Sequence, residues 1–199
     1  SHEHSDHIRG LEILAKKYQL PVYISAATLG NAKVKLPEQL VKSFSSYQTI
    51  AIGKLGVKAF PKLHDAAEPH SFIIQQNNTT VGVFTDIGSH CKHVIDNFRL
   101  CNAAFLEANY DEEMLAKGNY PYYLKNRIRG DHGHLSNQQA LDLFTNYKPD
   151  FMSHLLLSHL SKDNNCPKLV HQLFSEKANG TTITVASRYQ ETEVFSIEI

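Results

Sequence analysis

The sequence predicts an α/β protein of layered sheets and covering helices. Apolar, β-branched runs alternate with helix-period segments along all 199 residues. His64, Asp86, Asn109 and His159 each fall just past the end of a predicted strand. Polar residues at one end of several strands can converge on a single site. The chain also opens on Ser-His-Glu-His-Ser-Asp-His, a run of ligand-type side chains that leads straight into an amphipathic segment.

Ile8, Leu11, Leu14, Ala15 and Tyr18 recur at helical spacing, and Pro21 follows that helix. Val22 to Ser25 reads as a short strand. Pro37 to Phe44 reads as a second helix with proline in its first turn. Tyr47–Ile52 is strand-like, and Val57–Leu63 is a strand that delivers His64. Ser71–Gln75 and Thr80–Thr85 flank Asn77-Asn78 and predict a hairpin whose second strand ends at Asp86-Ile87-Gly88.

Val94, Ile95 and Phe98 mark a helix over Cys91–Leu100. Ala103–Leu106 is a strand ending in Glu107-Ala108-Asn109, and short helices follow over Glu112–Ala116 and Tyr122–Arg129. Ser136 is placed to cap a helix that runs to about Tyr147. Phe151–Leu157 is an apolar strand before Ser158-His159. Cys166–Lys177 is an amphipathic helix, and Thr181–Ile199 supplies closing strands. No repeat or linker divides the chain, so residues 1–199 are expected to form one domain.

Hydrophobic residues make up 42% and charged residues 20%, ordinary values for a globular protein. No apolar run is long enough for a membrane helix, and no signal-peptide pattern opens the chain. The formal net charge of zero argues neither for nor against nucleic acid, because a local basic groove can exist within a neutral total. The three cysteines form no CxxC pair. They read as reduced thiols of a cytoplasmic protein, with neither a disulfide frame nor a zinc knuckle. Twelve histidines are the compositional feature that bears on chemistry.

His2 and His4 lie two apart, so in extended backbone both imidazoles face the same way and can reach one metal. Asp6 and His7 follow at the turn into the first helix and can face a second position. This nitrogen-rich set suits zinc, and manganese or iron less well. A terminal His-rich stretch can also be a purification scar. The spacing and the direct run into a helix argue against that. Taken alone, each remaining histidine would be read as a surface or core residue.

The His-x-His-x-Asp-His run resembles the signature of the metallo-β-lactamase superfamily. Leu63-His64-Asp65-Ala66, Thr85-Asp86-Ile87-Gly88 and Leu157-Ser158-His159-Leu160-Ser161 extend the resemblance along nearly the whole chain. It implies an αβ/βα sandwich and two divalent metal ions, Zn2+ or Mn2+. His2, His4 and His64 would hold one ion, Asp6, His7 and His159 the other, with Asp86 bridging. His154 competes with His159 for the last place but sits within its strand rather than at the end. His70 and Asp65 are weaker candidates. Two such cations lower the pKa of a shared water and stabilise both attacking and leaving oxygens. In this superfamily N-terminal strands precede the motif. The resemblance therefore implies that the chain is incomplete at its N-terminus, that residues 1–7 lack support, and that it binds metal poorly by itself.

Glu107-Ala108-Asn109-Tyr110-Asp111, Tyr120-Pro121, Arg127-Ile128-Arg129-Gly130, Gly133-His134-Leu135-Ser136-Asn137 and His159 to Asn165 follow in order. This series looks like the YycJ/WalJ-like branch, whose members are DNA exonucleases acting from the 5′ end, and more distantly like the tRNA 3′-processing endonucleases. The resemblance implies a catalytic role for His134 beside the metals, and for Asp6. His134 also precedes a helix N-terminus, which favours phosphate. Lys125, Arg127, Arg129 and Lys162 are candidate phosphate contacts, and Tyr110, Tyr120, Tyr122 and Tyr123 candidate base-stacking groups. Tyr110 stands where relatives are expected to have histidine. The expected function is metal-dependent hydrolysis of a nucleic acid phosphodiester. A hydrolase of thioesters, lactones or β-lactams, and a binding module with a structural metal, are the competing readings.

Overall fold

The structure is a computed structural model that describes residues 1–197. Its N-terminal part is built from short elements: α1 (Ser5–Ile8), α2 (Leu11–Tyr18), β1 (Val22–Tyr23), α3 (Ala26–Asn31), a 3-10 turn at Glu38–Leu40 and β2 (Val41–Lys42). Ala15, Val22, Ile24 and Leu40 form a small apolar cluster that joins them. Two sequence expectations change here. Ser25 does not end a strand. It caps α3, its hydroxyl accepting from Thr28 N at 3.3 Å. The helix expected over Pro37–Phe44 is one 3-10 turn, because Val41 and Lys42 leave the turn to pair in parallel with Val22 and Tyr23.

The rest of the chain builds one large sheet and its cover: β3 (Thr49–Ile52), β4 (Leu55–Pro61), β5 (His70–Gln76), β6 (Thr79–Phe84), α4 (Lys92–Phe98), β7 (Ala103–Glu107), α5 (Glu112–Lys117), α6 (Tyr122–Arg129), α7 (Asn137–Tyr147), β8 (His154–Ser158), α8 (Pro167–Ser175) and β9 (Thr182–Val185). The seven strands lie in sequence order. β3 to β6 form an antiparallel meander, and β6 to β9 are parallel. Parallel neighbours need crossovers, and α4, α5–α7 and α8 supply them. The strand expected from Phe151 starts at His154, because Met152 N bonds Pro149 O in a turn. Of the closing strands, β9 forms, residues 186–197 are not strand, and residues 198–199 lie outside the described residues. Among the described residues no helix is long and apolar enough to cross a membrane.

The core lies between the sheet and α4, α7 and α8. Phe60, Phe84, Phe98, Phe144 and Phe174 are all completely buried in it. Their rings meet at 5.6 Å (Phe60–Phe84), 5.3 Å (Phe84–Phe98) and 5.8 Å (Phe144–Phe174). Truncating one such ring to alanine costs roughly 3–5 kcal/mol. Gly82 makes this packing possible, since a Cβ there would lie 2.2 Å from Phe84 Cε2 and 2.7 Å from Cys101 Sγ. Ser136 and Gln139 start α7 with a reciprocal capping box.

This topology determines where the site lies. β4 and β6 are both antiparallel to β5, so they run the same way. β7 and β8 run with β6. The carboxyl ends of β4, β6, β7 and β8 therefore share one edge of the sheet, where ligand sites of open α/β sheets form.

Candidate metal centre

Each strand end on that edge delivers a polar residue. Beyond β4 come Lys62 and His64, beyond β6 Asp86, at the end of β7 Glu107, and beyond β8 His159. Asp86 and His159 are in the left-handed backbone region, with φ of 55° and 57°. Such conformations are strained for residues other than glycine and concentrate at functional sites.

The N-terminal run meets this edge from outside. The sequence suggested that it would lack support, but among the described residues it is anchored by neighbouring backbone. His70 N donates to Ser1 O at 3.1 Å, and Ala67 N donates to Glu3 Oε1 at 2.8 Å. His2 is thereby buried.

Seven of the sequence-derived residues come together in two groups. Ligand atoms of His2, His4 and His64 lie within 4.8 Å of one another, as do those of Asp6, His7, Asp86 and His159. Asp86 stands between the groups. Its Oδ1 is 3.8 Å from His64 Nε2 and 3.3 Å from His159 Nε2, and its Oδ2 is 3.1 Å from His7 Nε2. His4 Nδ1 and His64 Nε2 are 3.3 Å apart. Two ligands of a tetrahedral zinc stand about 3.4 Å apart when each Zn–N bond is about 2.1 Å.

Two observations fit these residues to a cation. His2 Nε2 and Asp86 Oδ2 are buried and lack hydrogen-bond partners, although buried polar atoms are nearly always satisfied. The second ring nitrogens of three of the histidines are also held from behind, as in metal ligands generally. His64 Nδ1 bonds Gly133 O at 2.9 Å, and His4 Nε2 bonds Asp65 O at 3.2 Å. His159 Nδ1 faces Asn109 Nδ2 at 3.3 Å and Glu107 Oε1 at 3.7 Å.

Charge is organised around Asp86. Burial opposes its ionisation, but His7, His159 and Lys62 outweigh that and hold its carboxyl well below the usual carboxylate range. Burial lowers His2 to about 2 and His64 to about 4, so both rings are neutral and can offer lone pairs. Burial works against protonating His159, yet the Glu107 carboxylate, with Asp86 and Asp6, lifts it to about 9.

Two residues at this edge were given no role by sequence reasoning. Glu107 is completely buried, accepts from His134 Nδ1 at 2.7 Å and accepts from Ile87 N at 2.9 Å. Burial opposes its charge, but His134 and His159 keep its carboxyl below the ordinary value. Lys62 is buried, donates to Thr85 O at 2.6 Å and lies 3.8 Å from Asp86 Oδ2. Burial lowers its ammonium to about 8 against the pull of Asp86 and Glu107. A glutamate closing an apolar strand, and a lysine inside one, were the available signals.

The other candidates stand outside the two ligand groups, although Asp65, Tyr120 and Arg127 line the same cleft. His154 opens β8 and bonds Ser153 Oγ, and His70 bonds Ser46 Oγ at 2.8 Å. Tyr110 is buried, so it cannot stack on a base, and Tyr122 and Tyr123 are exposed on α6. Tyr120 donates to Asp163 at the cleft wall. Arg127 is paired with Asp65, Arg129 bonds Asn126, and Lys125 bonds Ala116 O. These three cations are therefore engaged within the protein.

Known proteins resemble this chain in sequence and in fold. Residues 1–160 match the family described as Beta-lactamase superfamily domain. The chain is 37% identical over 191 residues to Exodeoxyribonuclease YycJ of Bacillus anthracis, covering 90% of this chain and 71% of that protein. It is 31% identical over 176 residues to Exodeoxyribonuclease WalJ of Streptococcus pneumoniae serotype 2, covering 86% of this chain and 65% of the relative. Its fold matches the metallo-β-lactamase fold protein YhfI from Bacillus subtilis with a TM-score of 0.70 at 18% identity, over 94% of this chain and 72% of that one. Zn(2+)-bound PqqB from Methylobacterium extorquens matches at 0.65 with 15% identity, over 97% and 71% of the two chains. The chain belongs to the metallo-β-lactamase superfamily and is a metal-dependent hydrolase similar to the YycJ-type proteins.

Proposed function

We propose that the protein is a two-metal phosphodiesterase that removes nucleotides from the 5′ end of DNA. The observation that carries this reading is the meeting of two ligand groups on Asp86, with His134 beside them. Its likeness to two exodeoxyribonucleases supports the choice of substrate. His2, His4 and His64 would hold one ion and Asp6, His7 and His159 the second, with the Asp86 carboxylate facing both groups. Two bound divalent cations, Zn2+ or Mn2+, supply Lewis acidity and a water of lowered pKa.

The protein's own groups do the rest. Asp6 is exposed, its Oδ2 3.5 Å from His7 Nε2 and 3.8 Å from His159 Nε2. It orients the attacking water and takes up the proton that the water loses. The water oxygen bonds to phosphorus as the bond to the leaving oxygen breaks. His134 Nδ1 is engaged by Glu107, which leaves Nε2 to hand a proton to that oxygen.

The test uses 5′-labelled single-stranded and duplex DNA, with chelator-stripped protein and with added Zn2+ or Mn2+. Release of labelled mononucleotide that depends on added metal is expected. No cleavage under any metal condition overturns the reading. Turnover of a thioester, lactone or β-lactam with DNA untouched would point instead to a small-molecule hydrolase.

A further inference from the structure

The metal centre lies where two depressions join. One, of about 480 Å3, holds Asp6, Asp65, Asp86, Arg127 and His134. The other, of about 670 Å3, extends past His159 to the segment after β9. Asn109, His159 and Ser161 line both. The larger one falls within the span of ligand sites, about 300–1,000 Å3.

The two differ in charge. The smaller holds three carboxylates, and its arginine is paired with one of them. The larger is lined by Lys162 and Arg188 and by no carboxylate. Among the described residues neither cation stands in an ion pair. Arg188 donates to Leu160 O at 2.7 Å, which fixes its guanidinium on the wall and leaves its other N–H groups free. Tyr189, next in the chain, also lines the cavity and is 83% exposed. Two uncompensated cations with an adjacent free aromatic face suit a phosphate backbone that carries bases.

We infer that this larger cavity is a strand-binding subsite, in which Lys162 and Arg188 hold phosphates of single-stranded DNA next to the cleaved bond and Tyr189 stacks on a base. The inference rests on the phosphodiesterase reading and adds the path of the strand to it. It keeps Lys162 among the candidate phosphate contacts and replaces the engaged cations of α6 with Arg188, in a segment where the sequence showed no motif.

The test is binding of a fluorescein-labelled single-stranded DNA by anisotropy in chelator, across a salt series, with cleavage assayed in parallel. Removing two phosphate contacts by Lys162→Ala with Arg188→Ala makes the slope of log affinity against log salt shallower by about 1.4. Tyr189→Ala weakens binding at least about fivefold with the slope kept. Arg188→Lys retains the slope, which separates charge from disturbance of the segment. Lys54→Ala, in the β3–β4 turn at the opposite edge of the sheet, serves as the comparison and changes neither quantity. If the wild-type protein cuts DNA while the double variant keeps its affinity and slope, the subsite is overturned and the phosphodiesterase reading stands. If the wild-type protein neither binds nor cuts DNA, both fall.

Discussion

Glu107 Oε1 accepts a hydrogen bond from His134 Nδ1 at 2.7 Å, while its Oε2 accepts from Ile87 N at 2.9 Å. One buried carboxylate thus orients the proposed proton donor and also holds the backbone beside Asp86. Outer partners of this kind typically change activity by about 10–100-fold. Glu107→Gln is expected to lower kcat on DNA by that amount with KM little changed. Adding His134→Ala should cost little more than either change alone, because groups that act as a unit are not additive. A double-mutant cycle with fully additive losses would break the link.

How far the site could be read in the sequence depends on where each residue sits. His64, Asp86 and His159 stand just past apolar strands, and His2, His4, Asp6 and His7 form a dense run. Such positions announce themselves by contrast with their surroundings. Glu107 and Lys62 did not, because each is a charge inside an apolar segment whose partner is 20 or more residues away, Ile87 for one and Thr85 for the other. Pairing across a sheet leaves no local trace. The same holds for β2, which exists only because Val41 meets Val22. The phosphate candidates on α6 illustrate the opposite case. Their spacing was visible, but the Asp65 that engages Arg127 comes from 62 positions away.

Lys62 tests the balance of charge under the site. Its side chain is fully enclosed, and its ammonium faces the almost completely buried Asp86. Removing one partner of a buried pair costs about 3–5 kcal/mol. Lys62→Met should therefore lower Tm sharply in chelator. Added Zn2+, binding only the folded protein at the same carboxylate, should raise the variant's Tm by more than the wild-type protein's. An equal loss of Tm with and without Zn2+ would mean that the lysine matters through packing alone.

The two ligand groups predict how metal is lost. Elemental analysis of the Zn2+-loaded protein should find about two ions per chain. His2→Ala should remove one of them, since only the first group contains His2. Asp86→Ala should remove both, since its carboxylate faces both groups. A wild-type protein that saturates with one ion would refute the two-metal arrangement.

The thiols give a prediction independent of the metal site. Cys101 is completely buried, and burial pushes its thiol up to about 12. Its Sγ also donates to Asn97 O at 3.3 Å, a bond that the thiolate cannot make. Cys166 stands at the N-cap position of α8, where the nearby backbone N–H groups of Leu169 and Lys168 favour the thiolate and hold it below the ordinary thiol value. Only the thiolate reacts with an alkylating reagent, and its fraction grows as pH rises toward the group's pKa. At pH 8 iodoacetamide should therefore modify Cys166 well before Cys101 in the folded protein, as read by peptide mass spectrometry. Raising the pH to 9 should still leave Cys101 unmodified, whereas urea should expose both. Modification of Cys101 at a rate like that of Cys166 without denaturant would show that the core around Phe84 and Gly82 opens in the native protein.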